Sequence, residues 1–458
     1  MQQRVALPHK QINAELLNVT LKAPLWWWIT VGVLGVFVLA ALASIAVLVN
    51  KGLGVTGLNR PVMWGLFIVD FIFWIGISHA GVMLSAILRL SKAEWRRPAT
   101  RAAEVLTVLS LLWAALHPVI HAGRLWRILY WAFPYDFSRG IWINIRSPLV
   151  WDPSAIFTYL TGSALFVIVA LIPDLAVLRD RTTGIRHQIY SILAMGWRGT
   201  PRQWKLQIVA GFLLSALLLP VFVSVHSIVS WDFAVAISVE AWHVTIFAPY
   251  FVIGAVHSGV SAVVTMMVLM RWLFGWHSYI REEHIDALGR LLIVIATAWL
   301  YFFFLEFSFA LFSRESQEIA LRELQVFTWP WWPLFLTFLL AGYVIPVGLW
   351  LSKRVRRSWM MMFWTSLLVN IGMWLERLII VIPGLSRKTP FSFDWGAYHP
   401  SLIEVTIIVG GYAFVFLLLL LFAKAFPLIP LFDIKEGQTL SEEIKIGRRT
   451  IPALRVEE

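Results

Sequence analysis

The chain has 458 residues, 59% of them hydrophobic and only 14% charged. Soluble globular proteins carry about 25% charged residues, so this composition excludes a water-facing fold and implies a chain that lives in a bilayer. Cysteine is absent, which excludes disulfides, thiolate-held iron–sulfur clusters, c-type haem attachment and a cysteine nucleophile. Any redox role must then use a bound organic cofactor or a histidine-ligated haem. The net charge of +12 is spread over loops and is not a nucleic-acid signature.

A helix needs about 20 mostly apolar residues to cross the hydrocarbon core. Ten stretches qualify, at 25–49, 62–90, 103–120, 153–178, 206–228, 241–273, 289–313, 329–352, 358–384 and 400–426. The first is too long for a signal-peptide core and shows no small-residue cleavage site, which predicts a retained helix. Trp26–Trp28 and the run Thr328-Trp329-Pro330-Trp331-Trp332 fall at span ends, where indoles favour the headgroup level. The loops at 91–102, 179–205, 271–290 and 353–357 hold 17 Lys and Arg, against 10 in the remaining, longer set. That bias predicts cytoplasmic termini and places the 121–152 loop outside.

Phe73-Trp74-Ile75-Gly76-Ile77-Ser78-His79-Ala80-Gly81-Val82 aligns with Phe251-Val252-Ile253-Gly254-Ala255-Val256-His257-Ser258-Gly259-Val260, six of ten positions being identical at an offset of 178. The offset lays span 2 over span 6. The repeating unit is therefore four helices, and an even number gives two modules of parallel orientation. The predicted fold is all-α: two four-helix bundles, spans 2–5 and 6–9, flanked by spans 1 and 10. The corresponding division is a terminal segment at 1–24, a first flanking helix and loop at 25–61, a first bundle at 62–228, a second at 229–384, a last flanking helix at 385–426 and a tail at 427–458.

Ionisable groups inside a membrane are costly, so each needs a partner or a task. His117, His121, Arg124 and Arg127 close span 3. The outer loop adds Asp136, Arg139, Asn144 and Arg146, and Ser147-Pro148-Leu149-Val150-Trp151-Asp152 leads into span 4. His121 and Asp152 thus stand at the outer mouths of consecutive helices, which are usually neighbours. Quinol oxidation wants such a pair, because two electrons leave with two protons and each hydroxyl needs an acceptor. An imidazole titrates near neutrality and a carboxylate can pass protons to water. A salt bridge from Asp152 to Arg124 or Arg146 that folds the loop is the structural alternative.

His226, Trp231-Asp232, Glu240 and His243 form a second outer group. It is read first as a structural network, with a vestigial site or a proton exit as alternatives. His79 and His257 lie inside their spans, where packing is their default role; the repeat places them in different bundles, which argues against one shared haem. Glu306, Glu376, Arg377 and Glu404 suggest an ion-pair network tying spans 7, 9 and 10. Asp70 and Asp174, with His79 between them, could step protons across the first bundle, and Asp232, His226, His257 and Glu306 extend that list of proton-path candidates.

Several of these runs resemble one family. They are His117-Pro118-Val119-Ile120-His121-Ala122-Gly123-Arg124, Arg146-Ser147-Pro148-Leu149-Val150-Trp151-Asp152, Ile172-Pro173-Asp174-Leu175-Ala176 with Arg179-Asp180-Arg181, Ser224-Val225-His226-Ser227-Ile228-Val229-Ser230-Trp231-Asp232-Phe233, and the shorter Trp374-Leu375-Glu376-Arg377. Together they resemble the NrfD/PsrC-like quinol-interacting membrane subunits, most of all the larger such subunit of alternative complex III (ActC). Val239-Glu240-Ala241-Trp242-His243 departs from the pattern, which has a glycine before the tryptophan. The resemblance implies two four-helix bundles and a quinol, menaquinol above all, at the outer side of the first. It carries the quinol-site histidine and aspartate onto His121 and Asp152; His117, Arg124 and Arg146 of the same cluster are further binding candidates. It further implies no haem, iron–sulfur cluster or metal in this chain. The implied partners are an iron–sulfur subunit at the outer face, a multihaem cytochrome c and a second NrfD-like membrane subunit. The setting would be the bacterial cytoplasmic membrane, in a respiratory or photosynthetic chain. A quinone-free structural anchor and a secondary transporter are the competing readings. The polar clusters lie at span ends and not at the midplane, which disfavours transport.

Overall fold

The computed structural model describes residues 8–127, 148–237, 239–386 and 397–440, with two short strands at 443–446 and 449–452. Ten helices are long and apolar enough to cross a membrane: α1 Leu25–Lys51, α2 Leu66–Leu90, α3 Glu94–His121, α4 Val150–Arg179, α5 Pro201–Val235, α6 Phe247–Phe274, α7 Glu282–Ser313, α8 Trp331–Trp350, α9 Trp359–Ser386 and α10 Leu402–Ala425. The described β structure is a two-stranded antiparallel hairpin, Glu443–Ile446 with Arg449–Pro452, in the C-terminal tail.

Each expected span corresponds to one of these helices; several ends shift, α7 starting at Glu282 instead of 289 and α6 at Phe247 instead of 241, and two further shifts show their physical reason. Helix α3 begins at Glu94 instead of 103. Its first turns hold Arg97 and Arg101, which are tolerated because Arg97 pairs with Glu94 at 2.6 Å and Arg101 with Asp174 at 3.1 Å. Helix α5 runs to Val235 instead of 228. The serines in its last turns stay helical because their hydroxyls bond back to the preceding turn, Ser227 to Val223 O at 2.8 Å and Ser230 to Ser227 O at 2.7 Å.

With ten spans, α1 begins and α10 ends on one side, here the terminal face; the opposite side is the distal face. Helix α2 packs on α3, α3 on α4, α4 on α5, and α5 returns to α2. A second ring runs α6, α7, α8, α9 and back to α6. Helices α2 and α6 join the two rings, and α1 pairs with α10 along the outside of α3. Burial follows this plan: the most apolar stretch of α2 is 89% buried, that of α6 72% and that of α1 11%.

The α2–α6 contact explains the repeated glycines. A Cβ on Gly259 would lie 2.9 Å from Ala80 N and 3.1 Å from Ile77 O, and one on Gly76 would lie 3.1 Å from Ser258 Oγ. The first glycine of one copy and the second of the other thus let two backbones touch, as small residues do where helices pack in lipid. The other pair turns elsewhere, Gly81 toward Thr107 of α3 and Gly254 toward Arg377 and Trp299.

Candidate functional site

The distal end of the first ring gathers the side chains of interest. His121 is the last residue of α3, and Gly123, at φ +72°, turns the chain away. Such a positive φ suits glycine, which has no Cβ to clash. Asp152 lies in the second turn of the helix that starts at Pro148, and Asp232 in the last turns of α5. Asp152 and Asp232 are 4% and 7% exposed and lie close enough to repel each other. Aromatic rings pack at this end. Phe67 meets His121 edge-on with ring centroids 6.3 Å apart, and Phe233 meets Trp64 at 5.0 Å and Trp242 at 4.9 Å.

Buried polar atoms are almost always hydrogen-bonded, so exceptions need a reason. His121 Nδ1, Asp152 Oδ1 and Asp232 Oδ1 are buried and have no partner. They come from three packed helices at one end of one ring. Two carboxylates and an imidazole among aromatic rings can receive hydrogen bonds, and protons, from a ring ligand that carries hydroxyls.

The other expected members of the site are placed as follows. His117 sits one turn inward from His121, and its Nε2 is 3.1 Å from Asp70 Oδ2. Asp70 also accepts from the indoles of Trp113 and Trp374, each at 3.4 Å, and from Tyr412. His117 and Asp70 therefore form a closed, satisfied group just inside the site. Arg124 lies beyond α3 with its guanidinium 5.7 Å from the Trp126 ring centroid. Among the described residues no ion pair joins it to Asp152. Asp136, Arg139, Asn144 and Arg146 fall outside the described residues, as does the side chain of Glu240. His243, read as part of the second outer group, is exposed and has Nε2 3.1 Å from Ile237 O.

The proton-path candidates occupy separate places. Both ring nitrogens of His79 face carbonyls, Nδ1 that of Ile75 at 2.8 Å and Nε2 that of Phe222 at 3.1 Å; a neutral ring can donate to one of them. His226 lies beside it, ring centroids 4.8 Å apart, with neither nitrogen partnered. His257 Nε2 is 3.0 Å from Gly342 O in the π-helical turn of α8. Asp174 pairs with Arg101 at 3.1 Å near the terminal face. Asp70, His79 and Asp174 make no direct hydrogen bond to one another among the described residues.

The network expected to tie spans 7, 9 and 10 is divided differently. Glu306 of α7 pairs at 2.7 Å with Arg322, which the short helix Ser316–Phe327 brings back over the bundle. Glu376 accepts from Tyr250, Arg377 and, at 2.8 Å, the Trp299 indole. Glu404 belongs elsewhere: it accepts from Gly57 N at 2.7 Å, Ser401 N at 2.8 Å and Tyr398 OH at 2.8 Å, capping α10 and holding the loop after α1. Residues 314–328 look like a plain connection in the sequence, which hides Arg322. The sequence also sets Asp232 apart from Asp152, although it carries a signal that joins them. Trp151-Asp152 and Trp231-Asp232 are the same dipeptide at the distal ends of two helices that pack together.

Comparison with known proteins agrees with this architecture. A Halobacterium salinarum protein named as a putative membrane component of dimethyl sulfoxide reductase is 23% identical over 405 residues, covering 83% of this chain and 86% of that one. A selenate reductase component of Mesobacillus selenatarsenatis is 22% identical, over 88% and 93% of the two chains. The Hdr-like menaquinol oxidoreductase integral membrane subunit of Archaeoglobus fulgidus is 21% identical, over 86% and 93%. A family model described as polysulphide reductase, NrfD, matches residues 54–387, which runs from the loop after α1 through the end of α9. The chain belongs to the NrfD family of integral membrane proteins.

Proposed function

We propose that the chain is the quinol-binding, quinol-oxidising membrane subunit of a multi-subunit oxidoreductase, of the alternative complex III kind. The supporting observation is the group of three buried, unpartnered polar atoms, His121 Nδ1, Asp152 Oδ1 and Asp232 Oδ1, at one end of one helical ring. A hydroquinone becomes a quinone by losing two electrons and two protons. His121 and Asp152 take the two hydroxyl protons, with Asp232 facing Asp152 as the next carriage point toward water. The aromatic rings of Trp64, Phe67 and Phe233 cover the ring faces and exclude solvent. The electrons pass to an iron–sulfur partner at the distal face, and the assembly is completed by a multihaem cytochrome c and a second NrfD-like protein. The name of the Archaeoglobus relative supports menaquinol as the substrate. On this reading the distal face is the outer face of a bacterial cytoplasmic membrane and both chain ends are cytoplasmic.

The test is quinol:acceptor turnover of the intact complex, wild type against His121→Ala and Asp152→Asn, with assembly and partner iron–sulfur signals checked. Loss of a proton acceptor predicts turnover lower by about 10²–10⁴-fold with the complex intact. Full activity in both variants would remove the site from this end of the bundle.

A further inference from the structure

The loop after α4, on the terminal face, holds Arg179, Arg181, Arg186, Arg198, Arg202 and Lys205 within 179–205. Its helix Gly184–Leu193 is tied down by Tyr190 OH to Ala425 O at 2.9 Å, at the end of α10, and by His187 Nδ1 at 2.8 Å from Arg179 O. The other side shows Ile185 at 75% exposure, Ile189 at 48% and Ile192 at 77%. Spacing of four and three residues sets these isoleucines in one stripe. The first turns of α5, which follow, are apolar and exposed as well, with Leu206, Ile208 and Phe212 facing outward. A short amphipathic helix flanked by cations is the pattern of an element lying in the plane of a membrane surface.

Behind this helix lies a cavity of about 220 Å³, between the terminal end of α4, the start of α5 and the segment after α10. Three of its lining side chains are cationic, Arg179, Arg198 and Lys435, against two carboxylates, Asp174 and Asp180. Both carboxylates are already engaged, Asp174 by Arg101 at 3.1 Å and Asp180 by Arg179 at 2.8 Å. The lining thus carries three positive charges to two negative ones. Arg179 is also held in place by Trp197 O at 3.0 Å, and Trp204 stacks on Phe432 with centroids 4.0 Å apart. The cavity thus has an aromatic floor at the headgroup level, where indoles are favoured, and a surplus of positive charge.

We propose that this cavity binds the phosphate headgroup of an anionic phospholipid from the leaflet at the terminal face, with the acyl chains lying along the isoleucine stripe and the start of α5. Trp204 of the cavity precedes the exposed Leu206 of α5, and His187 of the isoleucine helix has Nδ1 2.8 Å from Arg179 O, so apolar and cationic surfaces adjoin, which fits one amphiphile better than a soluble anion. Anionic lipid surfaces attract each nearby Lys or Arg, and the two side chains Arg198 and Lys435 supply the readable part of the site.

The test uses the full chain in its purified complex, delipidated and titrated with phosphatidylglycerol or phosphatidylcholine, with bound lipid counted by native mass spectrometry. Phosphatidylglycerol is expected to bind in preference to phosphatidylcholine. The double variant Arg198→Ala/Lys435→Ala is expected to weaken it by roughly thirtyfold. The single Arg198→Ala, an exposed side chain, is expected to weaken it by roughly fivefold and serves should the double variant not assemble. Arg354→Ala, in another cationic loop of the same face, is expected to change nothing. Equal binding of both lipids, an equal loss in Arg354→Ala, or displacement by inorganic phosphate would each overturn the proposal. The last would assign the cavity to a free anion, and lipid-independent closure of the stripe by another protein of the complex would remove the lipid altogether.

Discussion

Replacing Gly259 by alanine tests the contact on which the two rings depend. The added Cβ would stand 2.9 Å from Ala80 N, 3.1 Å from Ile77 O and 3.2 Å from Gly76 O, all backbone atoms of α2. Ordinary contact begins at 3.4 Å, so α6 must move off α2 by a few tenths of an ångström. Backbone atoms cannot rotate away as a side-chain tip can. Helix α2 is 89% buried along its apolar stretch, so there is no lipid-facing slack to absorb the shift. Overpacking of this kind costs about 1–3 kcal/mol. Gly35→Ala in α1 is the matched control, since nothing lies within 4 Å of the position where its Cβ would be. That change should stay within about 0.5 kcal/mol of wild type. The assay is reversible unfolding of the full chain in mixed micelles, followed by tryptophan fluorescence. If Gly259→Ala unfolds at the same denaturant level as Gly35→Ala, the α2–α6 backbones are not in contact, and the repeated glycines need another explanation.

Three further outcomes follow from the buried polar groups. Arg377→Ala removes the cation beside buried Glu376 and should cost about 3–5 kcal/mol, measured in the same unfolding assay, whereas Arg377→Met with Glu376→Gln should recover most of it. Glu404→Ala strips three donors, Gly57 N, Ser401 N and Tyr398 OH, of their acceptor; a loss of at least about 2 kcal/mol is expected, with faster hydrogen exchange in the loop after α1. Asp232→Asn keeps the size of the side chain and removes its charge beside Asp152. It should lower quinol turnover by about a hundredfold without disturbing assembly, and unchanged turnover would confine the site to His121 and Asp152.

The spans are legible in the sequence because bilayer thickness fixes the length of an apolar run, whatever the packing inside. The two rings are legible for a narrower reason. A repeat of glycines and histidine stands out from Leu, Val and Ile matches, and in the structure two of those glycines, Gly76 and Gly259, lie where α2 and α6 meet. The proposed site is legible in the sequence at His121 and Asp152, which stand near the ends of consecutive helices. Asp232 stands 80 positions from Asp152, and the sequence reading leaves it in a separate group although α4 and α5 are consecutive helices and so usual neighbours. Arg322 escapes for a physical reason: an amphipathic helix of 12 residues is too short and too polar to register as a span, yet it folds a cation back onto Glu306. Glu404 misleads because depth in the membrane is a poor guide to partners; its neighbours are the loop after α1 and its own helix start.

The two rings are built alike, and they differ most in where the arginines go. At the distal end of the second ring two of the buried acidic groups have countercharges, Glu306 with Arg322 and Glu376 with Arg377, while buried Glu318 accepts from Ser313 Oγ at 3.0 Å. At the matching end of the first ring, Asp152 and Asp232 face each other, and among the described residues no cation joins them. A paired carboxylate inside a membrane is a structural element, because its charge is already neutralised and its lone pairs are used. An unpaired one imposes a cost that packing does not return, and two of them side by side impose more. In the first ring that cost falls beside an imidazole whose Nδ1 is also unpartnered. A ligand with two ionisable hydroxyls would satisfy these groups while bound, and after it has given up its protons it would hold them less strongly and leave. In the second ring Glu376 is held by Arg377, Tyr250 and Trp299, and Glu306 by Arg322, so these two carboxylates are tied into the packing.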